Sequence, residues 1–398
     1  YWALLLLQYK YNPFERGKVR EAEIIGVGMH KFGRFPEKNF MQIAGEAILR
    51  ALEDAGIEWG KIQAAYCGTA YAGSAAGPKV TTKIGATGIP VVDFENACAS
   101  GAAAVRAAVR DVRAGYHDLV LAVGFEKMPE GMMASPSYYE WQRTMGLAAN
   151  PIYFALEAKR LMVEYGVNEY HLAKVSVKNH RYSVHNPYSH YNKTFTVEDV
   201  LKSAMVCDPL RLLMFCQPNE GASALIISAQ DIANKFSHRP VTIAASAVAS
   251  PLYPLPVLPP TTSISINKTS MHITKYTAQQ AYEEAGIGPE NLDVIELQDT
   301  DSGSELIAYE ELDLCRAGEC TRLIDEGIVE IGGKFPVNTS GGLMSKGEPV
   351  GASAIGQMVH LVQQLRGNAG PVQVEGAQVG LSHVVGAGGN CAVTILKT

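Results

Sequence analysis

This sequence predicts an α/β protein made of two duplicated units stacked through their helices. Three observations carry that expectation. The stretch Ala51 to Ile62, ALEDAGIEWGKI, superimposes without a gap on Ala281 to Leu292, AYEEAGIGPENL, at an offset of 230 residues. Each copy is followed by the same element types in the same order. The apolar stretch LVLAV at 119–123 has the unbroken hydrophobic character of a strand buried on both faces.

Each echo reads as the end of a helix, a glycine C-cap (Gly56 or Gly286), and the lead into a strand. In the first half, VVDF at 91–94 is strand-like, NACASGAAAVRAAVRDVRAG opens an alanine-rich helix, and DLVLAVG is the next strand. In the second half, PVNTSGG precedes a helix from Ala352 to Arg366, then AQVGLSHVVGAGG and the strand CAVTIL. Ala222 to Ser228 closes the first half, and Pro240 begins the second.

Between the halves the composition changes. Residues 126–220 are rich in Met, Tyr, His, Asn and Pro, with helical patterning near 153–165 and 169–181. An insert of this size in a regular unit is expected to be a cap that shapes a binding site. The predicted division is an arm at 1–22, a first half at 23–125 completed by 221–239, a loop domain at 126–220, and a second half at 240–398.

Composition narrows the function. A chain of 398 residues, 47% hydrophobic, can bury two or three cores. Net charge is −6, from 34 basic and 40 acidic residues, and no Lys/Arg run occurs beyond residue 20, so nothing points to nucleic acid and a small-molecule partner is the default. No run of 18 apolar residues occurs, so no transmembrane segment is predicted. The seven cysteines are scattered and odd in number, which fits a reducing compartment better than a disulfide framework. Cys315 and Cys320 form C-x4-C without a second pair, so no metal site is expected. The first 20 residues carry a short apolar patch, then Lys10, Arg16, Lys18 and Arg20 against one acid, Glu15. They read either as the remnant of an organellar presequence or as a disordered arm.

Four stretches carry candidate chemistry. Cys98, in ENACASGAAAV, sits just before a helix, where the macrodipole and free amides favour a thiolate; it reads as a nucleophile or as a small buried residue packed at a helix start. The loop SGGLMSKGEPVG, Ser340 to Gly351, has the glycines and lysine of an anion-wrapping loop but not the phosphate-loop pattern, and Glu348 is an unexpected charge there. GLSHVVGAGGNC holds His383 and a glycine run that would let amides approach a carbonyl oxygen, or is a tight turn with a satisfied histidine. Gln298, Asp299, Thr300 and Asp301 follow a strand and precede a helix; there catalysis competes with simple N-capping by Thr300, Asp301 or Ser302.

Together these segments resemble the thiolase superfamily, most closely its sterol-carrier-protein type and its divergent thiolase-like members in trypanosomatids and bacteria. The resemblance runs from about Ile24 to Leu396 through IIGVGMHKFG, NACASG, LVLAVGFEKM, LAKVSVKNHRYSVHNPYS, CQPNEGASALI, GGKFPVNTSGGLMSKGEPVGASA and GLSHVVGAGG. It implies a five-layered αβαβα fold, two similar halves with a loop domain between them, and CoA or acyl-CoA as ligand with no further cofactor. Cys98 falls on the acyl-accepting cysteine, and the Cys98 amide and Gly388 on the oxyanion hole. It also implies a homodimer, and a small partner protein with a nucleotide-binding-type barrel as found with related aldolases. A mitochondrial location is expected, with the cytoplasm or a peroxisome-like organelle as alternatives.

The departures from the family are as informative. Its GHP loop reads Gly347, Glu348, Pro349 here, and its HDCF motif reads Gln298, Asp299, Thr300, Asp301. A glutamate beside Cys98 repels a thiolate, raises its pKa and cannot donate to a thioester oxygen while ionised. Loss of one oxyanion donor costs about a hundredfold to a thousandfold in rate, and loss of an acid/base group about a hundredfold or more. The expectation is a thiolase-like protein that binds CoA thioesters in lipid or sterol metabolism with ordinary thiolase activity very low or lost. The alternative is an acyl-CoA enzyme of altered chemistry, retro-aldol, decarboxylation or acyl transfer, that uses Cys98 and Glu348, with His383 as a further candidate.

Overall fold

A computed structural model describes residues 20–129, 138–236, 239–252 and 271–398. The arm to residue 19 and the Met-rich stretch 130–137 of the insert lie outside the described residues. The strands are β1 (Ala22–Gly33), β2 (Ala64–Gly68), β3 (Val91–Phe94), β4 (Leu119–Lys127), β5 (Met205–Cys207), β6 (Leu210–Arg211), β7 (Glu220–Ala229), β8 (Val241–Ala249), β9 (Val294–Glu296), β10 (Val379–Gly386) and β11 (Asn390–Lys397). The helices are α1 (Phe40–Ala55), α2 (Ala76–Ile84), α3 (Ser100–Ala114), α4 (Glu140–Thr144), α5 (Asn150–Tyr165), α6 (Glu169–Ser183), α7 (Val197–Lys202), α8 (Gln230–Ala233), α9 (Ile273–Ala285), α10 (Ser302–Glu311), α11 (Cys320–Asp325), α12 (Gly342–Lys346) and α13 (Ser353–Leu365).

Among the described residues, nine strands form one mixed sheet in the order β3-β2-β4-β7-β1-β8-β11-β10-β9. The duplication is written in that order. From the centre outward, β1, β7, β4 and β2 pair antiparallel, antiparallel and parallel, and β8, β11, β10 and β9 repeat the pattern. The halves meet at a seam of two residue pairs, Glu23 with Thr242 and Ile24 with Val241. The counterpart of β3 is reduced to one bridge, Ile295 with Val337. PVNTSGG occupies the place that the strand-like VVDF holds in the first half, but the left-handed Asn338 (φ 55°) directly after Val337 stops a strand from forming.

The echo between the halves is reproduced at the level of caps. α1 ends on Gly56 at φ 65° and α9 on Gly286 at φ 67°, and each is followed by a short 3₁₀ turn and then a strand. Ile57 N donates to Leu52 O, and Ile287 N to Tyr282 O, so both caps bond alike.

Side chains along the strands alternate between layers. In β4, Leu121, Val123 and Phe125 pack under α1 and α2, whereas Val120 and Ala122 face the middle layer of α3 and α13. In β11, Ala392 and Leu396 face that middle layer, while Cys391, Val393 and Ile395 pack on the opposite side with α9, α10 and the loop domain. The result is helix, sheet, helix, sheet, helix: a five-layered α/β fold in which every central strand is covered on both faces. The insert between β4 and β7, which carries α4 to α7 and the β5–β6 hairpin, sits against the second half. Lys178 of α6 and Glu305 of α10, both buried, pair at 2.7 Å across that contact.

A candidate acyl-thioester site

The turn carrying Cys98 is tightly built. Ala97 has φ 49°, a left-handed conformation that costs a non-glycine residue about 1 kcal/mol or more. Ser100 holds the turn closed: its Oγ donates to Ala97 O at 2.6 Å and accepts from Asn96 N at 2.8 Å. Gly386 lets β10 come close, since a Cβ there would lie 2.3 Å from Asn96 O. Cys98 is thereby presented, partly exposed, one residue before the N-cap of α3.

The thiol borders a cavity of about 350 Å³. Asn150, Pro151 and Phe154 of α5, Val206 and Leu212 of the insert, and Phe215 close one side; Gln298, Thr300, Glu348, Val350, Val385 and Ala387 of the second half close the other. The insert is thus the apolar cover of the cavity.

Glu348 is the centre of the polar chemistry. Its backbone N–H donates to Gln217 O at 2.9 Å, and its Oε1 accepts from Gln298 Nε2 at 2.7 Å. Gln298 is oriented in turn by the Val385 N–H, which donates to Gln298 Oε1. Glu348 Oε2 accepts from the Cys216 thiol at 2.9 Å, and the Cys98 thiol hydrogen-bonds to the same carboxylate. Burial pushes the Glu348 carboxyl up from its ordinary value, against the lowering effect of its hydrogen bonds to Cys216, Cys98 and Gln298. Cys98 is pushed well above the ordinary thiol value, first by burial and then by the Glu348 charge. Gln298 and the Ala387 N–H act in the opposite direction on Cys98.

The glycine-rich loop does wrap a carboxyl group, and that group is the chain's own. The first amides of α12, Leu343 N and Met344 N, donate to Asp299 at 2.6 and 3.1 Å, and Asn179 Nδ2 donates at 2.8 Å. A Cβ on Gly342 would lie 2.2 Å from Asp299 Oδ2, so only glycine allows this approach. Lys346 is buried and donates to Ser340 Oγ at 3.0 Å, near Glu296. The far end of the loop is fixed by Glu126 of β4, fully buried, which accepts from Thr69 Oγ1, Ala70 N, Tyr71 N and Gly351 N at 2.8 to 3.1 Å.

The N-terminal thiolase family model matches residues 22–231 and the C-terminal thiolase-like model residues 262–398. The chain belongs to the thiolase family. It is 38% identical over 390 residues to an acetyl-CoA acetyltransferase of Methanothermobacter thermautotrophicus, covering 95% of this chain and all of that protein. It is 36% identical over 408 residues to human sterol carrier protein 2, covering 97% of this chain and 73% of that one. Among solved structures, the Ltp2-ChsH2(DUF35) aldolase superimposes with a TM-score of 0.83 at 25% identity, covering 95% of this chain and 98% of that one.

Within this thiolase fold the residues singled out from sequence separate. Cys98, Gln298, Thr300 and Glu348 share the cavity. Asp299 turns away into the buried network under α12, and Asp301 caps α10 by accepting from Gly303 N and Ser304 N. One expectation needs correction. His383 does not line the cavity: it lies deeper along the same face of β10 as Val385, its Nε2 is 3.1 Å from Thr274 Oγ1, and burial pushes its pKa down to about 3, so the ring is neutral. Gly388, expected with the Cys98 amide at the oxyanion hole, sits exposed at the tip of the β10–β11 turn with φ 99°, next to Ala387, whose amide meets the Cys98 sulfur. The residue that sequence reasoning missed is Cys216, which lies in the quoted phrase CQPNEGASALI but 118 positions from Cys98, with no spacing to signal that the fold brings the two thiols onto one carboxylate.

Proposed function

We propose that the cavity receives the acyl end of a CoA thioester and that ordinary thiolysis of a ketoacyl substrate is very slow in this chain. The observation that carries this reading is the hydrogen-bonded position of Glu348 against Cys98 in a cavity whose lining, among the described residues, holds no histidine. A carboxylate there disfavours the thiolate and gives a thioester oxygen no donor while ionised. The apolar walls from Pro151, Phe154, Leu212, Phe215 and Val350 suit a hydrophobic acyl group, in keeping with a place in lipid or sterol metabolism. On this reading the chain works with CoA alone, without a further cofactor, and resides in the mitochondrion.

A second reading is favoured by one feature: Glu348 is a buried carboxyl of raised pKa anchored by Gln298, the character of a general base for a proton next to a thioester. On that reading the chain carries out altered chemistry, acyl transfer, decarboxylation or carbon–carbon cleavage, with Cys98 and Glu348. The likeness to the Ltp2-ChsH2(DUF35) aldolase supports it, and with it a small partner protein beside a homodimer.

Calorimetry with CoA, combined with mass spectrometry of the Cys98 peptide after incubation with acetyl-CoA or acetoacetyl-CoA, tests both. CoA binding without rapid release of acetyl-CoA from acetoacetyl-CoA is the expected result. Absence of CoA binding, or brisk thiolysis, would overturn the first reading.

A further inference from the structure

We propose that Cys216 is a second acid–base thiol of the site and that it exchanges a proton with Cys98 through Glu348. The inference rests on the reading that the cavity takes a CoA thioester. Its geometric basis is independent of that reading. Cys216 sits on the segment between the β5–β6 hairpin and β7, Cys98 on the turn before α3, and Glu348 on the loop after α12. Three distant stretches of chain therefore converge so that one carboxylate receives two thiols. Cys216 borders the same cavity, and its thiol donates to Glu348 Oε2 at 2.9 Å. Its placement is not casual: Cys216 N donates to Thr300 O at 2.9 Å, while the next residue, Gln217, accepts the Glu348 N–H. Backbone bonds thus fix both the thiol and the carboxylate it meets.

A thiol suits the chemistry required. The leaving group of a CoA thioester is itself a thiolate, and a thiol held in hydrogen-bond reach of a carboxylate is placed to give it a proton and to regain one. The step balances without oxidant or reductant. Cys98 Sγ forms a bond to the thioester carbon while its proton passes to Glu348. The carbon–sulfur bond to CoA breaks, and the departing sulfur takes the proton of Cys216. Cys216 then recovers a proton from Glu348. One thiol and one acyl thioester become acyl-Cys98 and free CoA. Among the described residues, the ionisable groups that bear on Cys216 are Glu348, Cys98 and Asp299.

The test compares Cys216→Ser and Cys216→Ala with the unmodified chain in acylation of Cys98 by acetyl-CoA, followed by quenched-flow mass spectrometry from pH 6 to 9. Serine keeps the size and the hydrogen bond to Glu348 but not an acid of thiol strength. A merely structural role for Cys216 therefore predicts an unchanged rate and pH profile in Cys216→Ser. The proposal predicts a loss of about tenfold or more in both variants, with the alkaline limb of the profile altered. CoA binding and melting temperature, measured alongside, show that each variant is folded and occupied. An acylation rate unchanged in Cys216→Ser overturns the proposal. So does CoA binding without any acylation of the unmodified chain, which leaves the binding reading intact; failure to bind CoA at all brings down the reading beneath it.

Discussion

At the scale of single residues, the site is decided by which group faces Cys98. The proposed acyl-accepting site has a cysteine on a tight turn before a helix, with the Ala387 amide against its sulfur. What differs is Glu348, held by Gln298 on one oxygen and Cys216 on the other. Replacing Glu348 with histidine removes a charge that opposes the thiolate and supplies a group that can donate to a thioester oxygen. We expect Glu348→His to raise acetoacetyl-CoA thiolysis by at least about a hundredfold, the scale of one acid/base group, and a spectrophotometric thiolysis assay reads this directly. A rate no higher than that of the unmodified chain would mean that the imidazole is not the missing ingredient. Glu348 was legible in the sequence because a motif position announced it. Cys216 was not, because contact between residues 118 positions apart is set by tertiary packing, and a lone buried cysteine has no pattern.

At the scale of elements, the duplication gives an internal control. Gly56 and Gly286 close equivalent helices with nearly equal φ, and neither has an atom within 4 Å of where a Cβ would sit. Substitution with alanine at either position therefore meets no steric clash and carries only the cost of a left-handed backbone, about 1 kcal/mol. The expected outcome is two similar, modest decreases in melting temperature for Gly56→Ala and Gly286→Ala. Gly342→Ala should be much worse, because its Cβ would strike the Asp299 carboxylate. The two glycine caps, the alternation of LVLAV and the final strand could all be read in advance, since helix ends and period-two burial leave local traces. The shrinkage of the β3 counterpart to one bridge could not, because it depends on the conformation of one residue, Asn338.

At the scale of the whole molecule, buried ionisable groups lie on both sides of the contact between the loop domain and the second half. Glu157 of α5 is pushed up to about 8, first by burial and then by the nearby Asp301 charge. In the unfolded chain a glutamate titrates near about 4.3. Between those values the folded protein holds a proton that the unfolded chain releases, so this group's contribution is fully present at the acid end and is lost as pH rises through 8. Glu157→Gln cannot titrate, and its melting temperature should fall less steeply between pH 5 and 8 than that of the unmodified chain. Parallel profiles from calorimetric scans would refute this assignment.

The Glu126 contact has a consequence for traffic. Its carboxylate takes three donors from the first half and one from the second, so prying the halves apart would break a fully satisfied buried network that ties them together. A guest molecule must therefore arrive by another door. Val206 and Leu212 border the cavity and are each close to half exposed, at 46% and 45%. These two side chains bring the cavity wall to the surface beside the β5–β6 hairpin, on the insert and away from the seam between the duplicated halves.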